Sequence, residues 1–126
     1  MSVKVDGFKS STFFELLNVS FSSNEAKRKE NIKKANAIYE FNVKNEEGKT
    51  QVWTMELKKE GVICAGKGSA KPDITIDLAD ETFVQLASGK LNGQKAFMSG
   101  KIKVKGNMML ATKLDGILSS ISKAKL

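Results

Sequence analysis

The sequence predicts an α+β fold, a five-stranded and largely antiparallel sheet with about five helices covering one face. Three observations carry that expectation. Five short runs alternate apolar and polar residues at the period of two that a half-buried strand requires. Four or five other stretches repeat apolar residues at helical spacing behind capping residues. Every strand has one apolar and one polar face, so one side of the sheet needs a cover and the other meets water.

The first helix is signalled at Phe8, with Ser11 or Thr12 as cap and Thr12 to Glu15 spaced as a capping box. Phe13, Leu16, Leu17 and Phe21 form its apolar face. A second helix from near Asn24 through Lys34 has only Ala26 and Ile32 as apolar residues, which suits a solvated surface position. Ala37, Tyr39, Phe41 and Val43 then alternate with Ile38, Glu40 and Asn42 as a strand. Asn45 to Lys49 is turn chemistry, and Trp53, Met55 and Leu57 alternate in the next strand. Glu60-Gly61 turns into Val62-Ile63-Cys64-Ala65, completing an antiparallel meander. A loop from Gly66 to Pro72 leads to a strand whose face Ile74, Ile76 and Leu78 must be buried. Asp80 is expected to cap a helix carrying Phe83, Leu86 and Ala87, with Gly89 at its stop. Asn92 caps a short turn through Phe97 and Met98. Lys101 to Lys105 reads as an edge strand with Ile102 and Val104 inward and three lysines outward. Gly106-Asn107 ends it and caps a last helix, where Leu110, Leu114, Ile117, Leu118 and Ile121 make one stripe and Gly116 is a hinge or break.

Composition narrows the function. The chain has 126 residues, enough for one core and too few for two. A single domain over residues 1–126 is expected, with no repeat or low-complexity tract, no membrane span and no secretory signal. Histidine is absent, which removes the commonest neutral-pH base and transition-metal ligand. One cysteine excludes an intrachain disulfide and disfavours zinc or iron–sulfur ligation, and it suits a reducing compartment. No catalytic residue, metal or cofactor is assigned, and the chain is not expected to be an enzyme. The net charge of +7 comes almost wholly from lysine, with Arg28 the lone arginine. Such an excess serves solubility or attracts anionic surfaces, whereas base-specific readout favours arginine.

The stretch from Ser88 to Leu114 carries a long motif: Gly89, Lys90, Asn92, Gln94, Ala96, Phe97, Gly100, Lys101, Lys103, Gly106, Asn107, Ala111, Lys113 and Leu114. It resembles the signature of the sterol carrier protein type-2 family, also called non-specific lipid-transfer protein. Asp6 to Lys9, Lys33 to Ala37 and Ala124 to Leu126 extend the likeness over nearly the whole chain. Gly93 departs from it, standing where many members have proline. The pattern looks most like that of free-standing, single-domain fungal peroxisomal members.

The resemblance implies an apolar tunnel between sheet and helices that takes fatty acids, fatty acyl-CoA and sterol-like lipids. Lining candidates from the first helix are Phe13, Leu16, Leu17 and Phe21. Those from the strands are Phe41, Trp53, Met55, Ile74, Ile76 and Ile102. Phe83, Phe97, Met98, Met109, Leu110, Leu114, Ile117, Leu118 and Ile121 come from the later helices, with Thr112 as the polar position nearest the lining. Each is also an ordinary core residue, and thioethers fill cores as readily as they adapt to varied ligands.

Lys101, Lys103 and Lys105 are explained by edge protection alone. A functional reading has them, with Lys90, Lys95 and Lys113, touch anionic headgroups during transient contact with a membrane. Ala124-Lys125-Leu126 belongs to the class of Ser-Lys-Leu peroxisomal addresses read by an import receptor, placing the protein in the peroxisomal matrix.

Other signals are set aside. Gly61 to Lys67 fits half of a phosphate-binding loop, but Gly68 replaces the needed hydroxyl and the interior is strand-like. Asp73 and Asp77 are expected on a solvent face, and Cys64 buried and inert. The leading expectation is a non-specific lipid carrier, a monomer without nucleic-acid partners. The alternative is a chaperone-like peroxisomal protein that shields or retains β-oxidation enzymes. Fluorescent fatty-acid displacement separates the two.

Overall fold

The computed structural model describes Val5, residues 7–23, 25–66, Gly68, residues 71–111 and Lys113. In chain order the elements are α1 (Ser10–Ser23), α2 (Glu25–Ala35), β1 (Ala37–Lys44), β2 (Thr50–Leu57), β3 (Val62–Ala65), β4 (Ile74–Ala79), α3 (Asp80–Ala87), α4 (Gly93–Met98) and β5 (Ile102–Gly106). Helical conformation resumes at Met108, where Asn107 caps by accepting the Met109 N–H at 3.0 Å. The expected strands are all present, and so are the helix starts at Asn92 and Asn107.

The five strands lie in the order β3-β2-β1-β4-β5. Three pairings are antiparallel, whereas β1 and β4 run parallel, Tyr39 facing Ile74 and Val43 facing Leu78. The parallel pair arises because the meander grows on one side of β1 and the chain then crosses to the other. Asp73 fixes that crossing. Its carboxylate accepts the Ile38 N–H at 2.9 Å while its own N–H donates to the Ile38 carbonyl at 2.9 Å. Asp77 accepts from Asn42 Nδ2 at 2.8 Å. Asp77 takes the polar face of β4 as expected, and both aspartates are in addition half-buried ties between strands. Gly106 allows the end of β5 to close on β4: its φ is +110°, and a Cβ there would strike the Asp73 carbonyl.

Strand alternation sends Tyr39, Phe41, Val43, Trp53, Met55, Leu57, Ile74, Ile76, Leu78 and Ile102 to the helix-covered face, where all are buried. From above, α1 inserts Phe14, Leu17 and Phe21, and α3 inserts Phe83, Leu86 and Ala87. The apolar stripe of α1 is thus turned from the expected one. Phe14, Leu17 and Phe21 fall at i, i+3 and i+7 and are sealed, while Phe13 and Leu16 are half-buried on the flank.

Two other local expectations are corrected. Asp80 does not cap its own helix; Ala79 occupies the cap position of α3 without a side-chain bond. The Asp80 carboxylate instead accepts the N–H groups of Lys9 and Ser10 at 2.7 and 2.8 Å, capping α1 from across the fold. The orphan donors of α1 needed an acceptor, and Asp80 is the one that packing delivers. Cys64 is exposed, not buried. β3 is a short edge strand that turns only Ile63 inward, so Val62 and Cys64 take the outer side.

Candidate functional site

The apolar interior is organised around Phe14. Its ring stacks on Trp53 at 4.5 Å and on Phe83 at 4.2 Å, and Phe41 meets it edge-on at 5.4 Å. Phe41 also contacts Phe83 edge-on and lies parallel to Tyr39 at 6.1 Å. The Tyr39 hydroxyl donates to the Leu110 carbonyl at 2.7 Å. Burial pushes the Tyr39 phenol well above its usual range, so it stays a neutral donor at physiological pH. This bond ties the helical segment opening at Met108 to the first strand.

The candidate lining residues divide into groups. Leu17, Phe21, Phe41, Trp53, Met55, Ile74, Ile76, Phe83, Ile102 and Leu110 join one buried cluster. In it they touch one another and Phe14, Tyr39 and Leu57, which were absent from the candidates. Phe14 was legible only as a neighbour of Phe13, and Tyr39 as an inward strand position. Phe13 and Leu16 pack against this cluster while half-exposed, together with Val5, Leu91, Val104 and Ala111. Phe97, Met98 and Met109 are exposed, as is Met108. Thr112, Leu114, Gly116, Ile117, Leu118, Ile121 and the terminal Ala124, Lys125 and Leu126 lie outside the described residues.

The structure therefore presents apolar residues of two kinds. The aromatic cluster is sealed from solvent, its rings packed against one another. Phe13 and Leu16 of α1, Leu91 and Ala111 each pack against it while only partly covered. Partly covered apolar side chains gain by burial against any apolar group, with no directed polar contact.

The six candidate lysines are all exposed, but not equally free. Lys113 donates to the Lys34 carbonyl at 3.0 Å, placing its charge at the C-terminal end of α2. Lys90, Lys95, Lys101, Lys103 and Lys105 lie along α4, β5 and the turns around them.

A separate cleft of about 540 Å³ opens on the helix-free side, lined by residues that include Ile38, Thr54, Glu56, Lys58, Val62 and Cys64. Its principal polar groups serve the fold. Thr54 Oγ1 donates to the Gly66 carbonyl and accepts the Gly68 N–H. The Glu56 carboxylate accepts four backbone N–H groups, from Lys58, Lys59, Glu60 and Gly61, at 2.7 to 3.2 Å. Burial opposes its ionisation, but these donors outweigh burial and hold the carboxyl below the usual glutamate range. Lys58 lies 3.7 Å from the Asp73 carboxylate. Among the described residues no three acidic or cysteine side chains converge as a metal site.

The molecule thus combines a mixed five-stranded sheet with helices on one face over an aromatic core. Residues 14–119 match the SCP-2 sterol transfer family. The chain belongs to that family. Among its relatives is a fatty acid-binding protein of Yarrowia lipolytica, 48% identical, with 95% of this chain and 96% of the relative aligned. An oleate-induced peroxisomal protein of Candida maltosa is 44% identical over 96% of this chain and 95% of its own. The solved structure of the apo form of sterol carrier protein 2 from Yarrowia lipolytica superposes with a TM-score of 0.89 at 44% identity, covering 97% of this chain and 98% of that one. The SCP-2 family member described here is thus matched along its length by fungal proteins of similar size, as the motif from Ser88 to Leu114 implied.

Proposed function

We propose that this SCP-2 family chain is a single-domain peroxisomal carrier of fatty acids, fatty acyl-CoA and sterol-like lipids, acting by binding and transfer rather than by catalysis. The observation that carries this reading is the set of apolar residues left partly covered beside the buried core, Phe13, Leu16, Leu91 and Ala111 among them. The cargo chain lies against these partly covered residues, while Trp53, Phe41, Phe83 and Ile76 act as the rigid wall behind. Each buried methylene contributes roughly 0.8 kcal/mol, so a chain of about sixteen carbons has on the order of 10 kcal/mol available before ordering costs. That suffices for micromolar affinity and tolerates many headgroups. The names of the Yarrowia and Candida relatives, one fatty acid-binding and the other oleate-induced and peroxisomal, support the cargo class and the compartment. The absence of histidine fits a role without acid–base chemistry.

The test is displacement of a fluorescent fatty acid by palmitate, oleoyl-CoA and a sterol. Saturable displacement is expected, weakened at least tenfold by Phe13→Asp or Leu16→Asp, either of which buries a charge against the chain. Tight binding by both variants would refute the assigned cargo contacts, and no saturable binding by the unaltered protein would refute the carrier itself. Ala124-Lys125-Leu126 is the peroxisomal address in this reading. Deleting Leu126 is expected to leave the protein in the cytosol with its lipid affinity intact.

A further inference from the structure

The positive charge of this protein is not spread over its surface. From residue 82 to residue 114 there are six lysines and no aspartate or glutamate. That stretch supplies +6 of the net +7, because the remaining 15 basic residues nearly balance the 14 acidic ones. In the fold it runs from within α3 through the turn after it, α4 and the edge strand β5 to the start of the following helical segment, and all six lysines follow α3.

The same stretch carries four of the six large apolar side chains exposed among the described residues. Met98 is 78% and Met109 69% exposed, with Phe97 and Met108 beside them. The two pairs stand at opposite ends of β5. α4 joins the start of the strand, where the Lys101 N–H donates to the Ala96 carbonyl at 2.8 Å, and Met108 and Met109 follow its far end at Gly106. Five residues of strand separate them by about 16 Å. Between them Lys101, Lys103 and Lys105 are exposed along the rim of the sheet. Asp77, which also accepts from Asn42, sits opposite Lys103 on β4 and offsets part of its charge, whereas Lys105 faces Thr75.

We propose that the rim formed by α4, β5 and the start of the following helical segment is a docking surface for anionic lipid bilayers, with Phe97, Met98, Met108 and Met109 entering the headgroup layer and Lys90, Lys95, Lys101, Lys103 and Lys105 pairing with lipid phosphates and carboxylates. The combination selects a membrane over other anions. Charge alone would suit any polyanion, whereas thioether and phenyl groups held in water at both ends of a lysine row gain only from an apolar phase. Nucleic acid would call for aromatic stacking platforms along the strand, and β5 has none. The apolar pairs and the lysines contribute together, since one signal alone gives marginal membrane binding. This surface rests on the carrier reading for its purpose, handing cargo to and from a membrane, but its test needs no cargo.

The experiment is flotation of the full chain with phosphatidylserine–phosphatidylcholine vesicles against pure phosphatidylcholine vesicles, at increasing salt. Binding is expected only to the anionic vesicles and is expected to fall steeply with salt. Each lysine near the surface is worth roughly fivefold, so Lys101→Gln, Lys103→Gln and Lys105→Gln together should weaken binding about a hundredfold. The same charge removed elsewhere, through Lys33→Gln, Lys44→Gln and Lys49→Gln, should cost less than about tenfold, the loss expected from net charge alone. Met98→Ser with Met109→Ser should lower affinity while leaving the salt slope unchanged. The β5 triple variant should keep its fatty-acid displacement curve, which separates failed docking from failed cargo binding. Equal losses in the two lysine triples would overturn the proposal, as would equal binding to both vesicle types. Tighter binding to single-stranded RNA, lost on the same β5 substitutions, would assign the rim to nucleic acid and sink it too.

Discussion

Replacing Asp80 by alanine tests the contact on which the position of α1 depends. The carboxylate is 7% exposed and accepts two backbone N–H groups, from Lys9 and Ser10, some seventy residues away in sequence. Hydrogen bonds to a charged partner contribute about 1.5 to 3 kcal/mol, and the Ser10 N–H, left buried without an acceptor, adds a desolvation cost that the part-buried Lys9 N–H largely avoids. The pair shares one carboxylate, so the contributions do not simply add, and a loss of about 3 kcal/mol is expected for Asp80→Ala. Against a domain stability of roughly 5 to 15 kcal/mol this is a large fraction. With a urea slope of about 1.5 kcal/mol/M it moves the unfolding midpoint by about 2 M. Asp80→Asn keeps an acceptor oxygen but not the charge, and should fall between the two. Asp80 also stands in the first turn of α3, where a negative charge contributes only about 0.5 kcal/mol through the helix dipole. Amide exchange separates these contributions: the Lys9 and Ser10 amides should lose protection well before the core strands do. A loss below about 0.5 kcal/mol, or unchanged protection at Lys9 and Ser10, would refute the assignment. The contact bears on function because α1 carries Phe13 and Leu16, half-covered residues of the proposed lipid contact.

Three further outcomes follow from the same geometry. Tyr39→Phe removes the donor to the Leu110 carbonyl and should cost about 1 to 1.5 kcal/mol in urea titration, with a neutral or stabilising result counting against that bond. Glu56 is held ionised by four N–H groups, so its folded pKa lies below the ordinary 4.5. Its stabilisation is therefore complete above that value and is lost as pH falls through the lower, folded one. The stability gap between the unaltered protein and Glu56→Gln should accordingly be widest near neutrality and close in acid; a gap that widens toward low pH would contradict it. Gly106→Ala forces a Cβ against the Asp73 backbone at a positive φ, and should cost more than about 2 kcal/mol by chemical denaturation. A loss under about 0.5 kcal/mol would show that β5 can draw away from β4 freely.

Much of the fold was legible because its signals are local. Alternation at Tyr39, Phe41 and Val43, or at Ile74, Ile76 and Leu78, states which side of a strand is apolar, and burial obeys it. Asn92 and Asn107 cap because the N–H groups they serve lie two or three residues on. Signals that depend on a partner distant in sequence were misread. Cys64 lies in an apolar run, yet its strand is at the edge, so its outward side meets solvent. Met98 and Met109 have the residue type of a core or a lining, and only the surrounding elements leave them exposed. The apolar positions of α1 were visible, but not their division into sealed Phe14, Leu17 and Phe21 and half-covered Phe13 and Leu16.

Sequence alone determined the strand and helix inventory, the family, the lack of histidine and the lysine-rich, acid-free run from residue 82 to residue 114. Those properties depend on residue type and spacing along one chain. Tertiary structure decided that β1 and β4 pair in parallel, that Asp80 caps α1 rather than α3, and that Phe14 instead of Phe13 is sealed in the core. Each of these is a choice among chemically equivalent local options. A carboxylate can cap either helix, and two adjacent phenylalanines can each face inward. Close packing makes the choice, because the arrangement that stacks Phe14 between Trp53 and Phe83 also brings the Asp80 carboxylate to the N–H groups of Lys9 and Ser10.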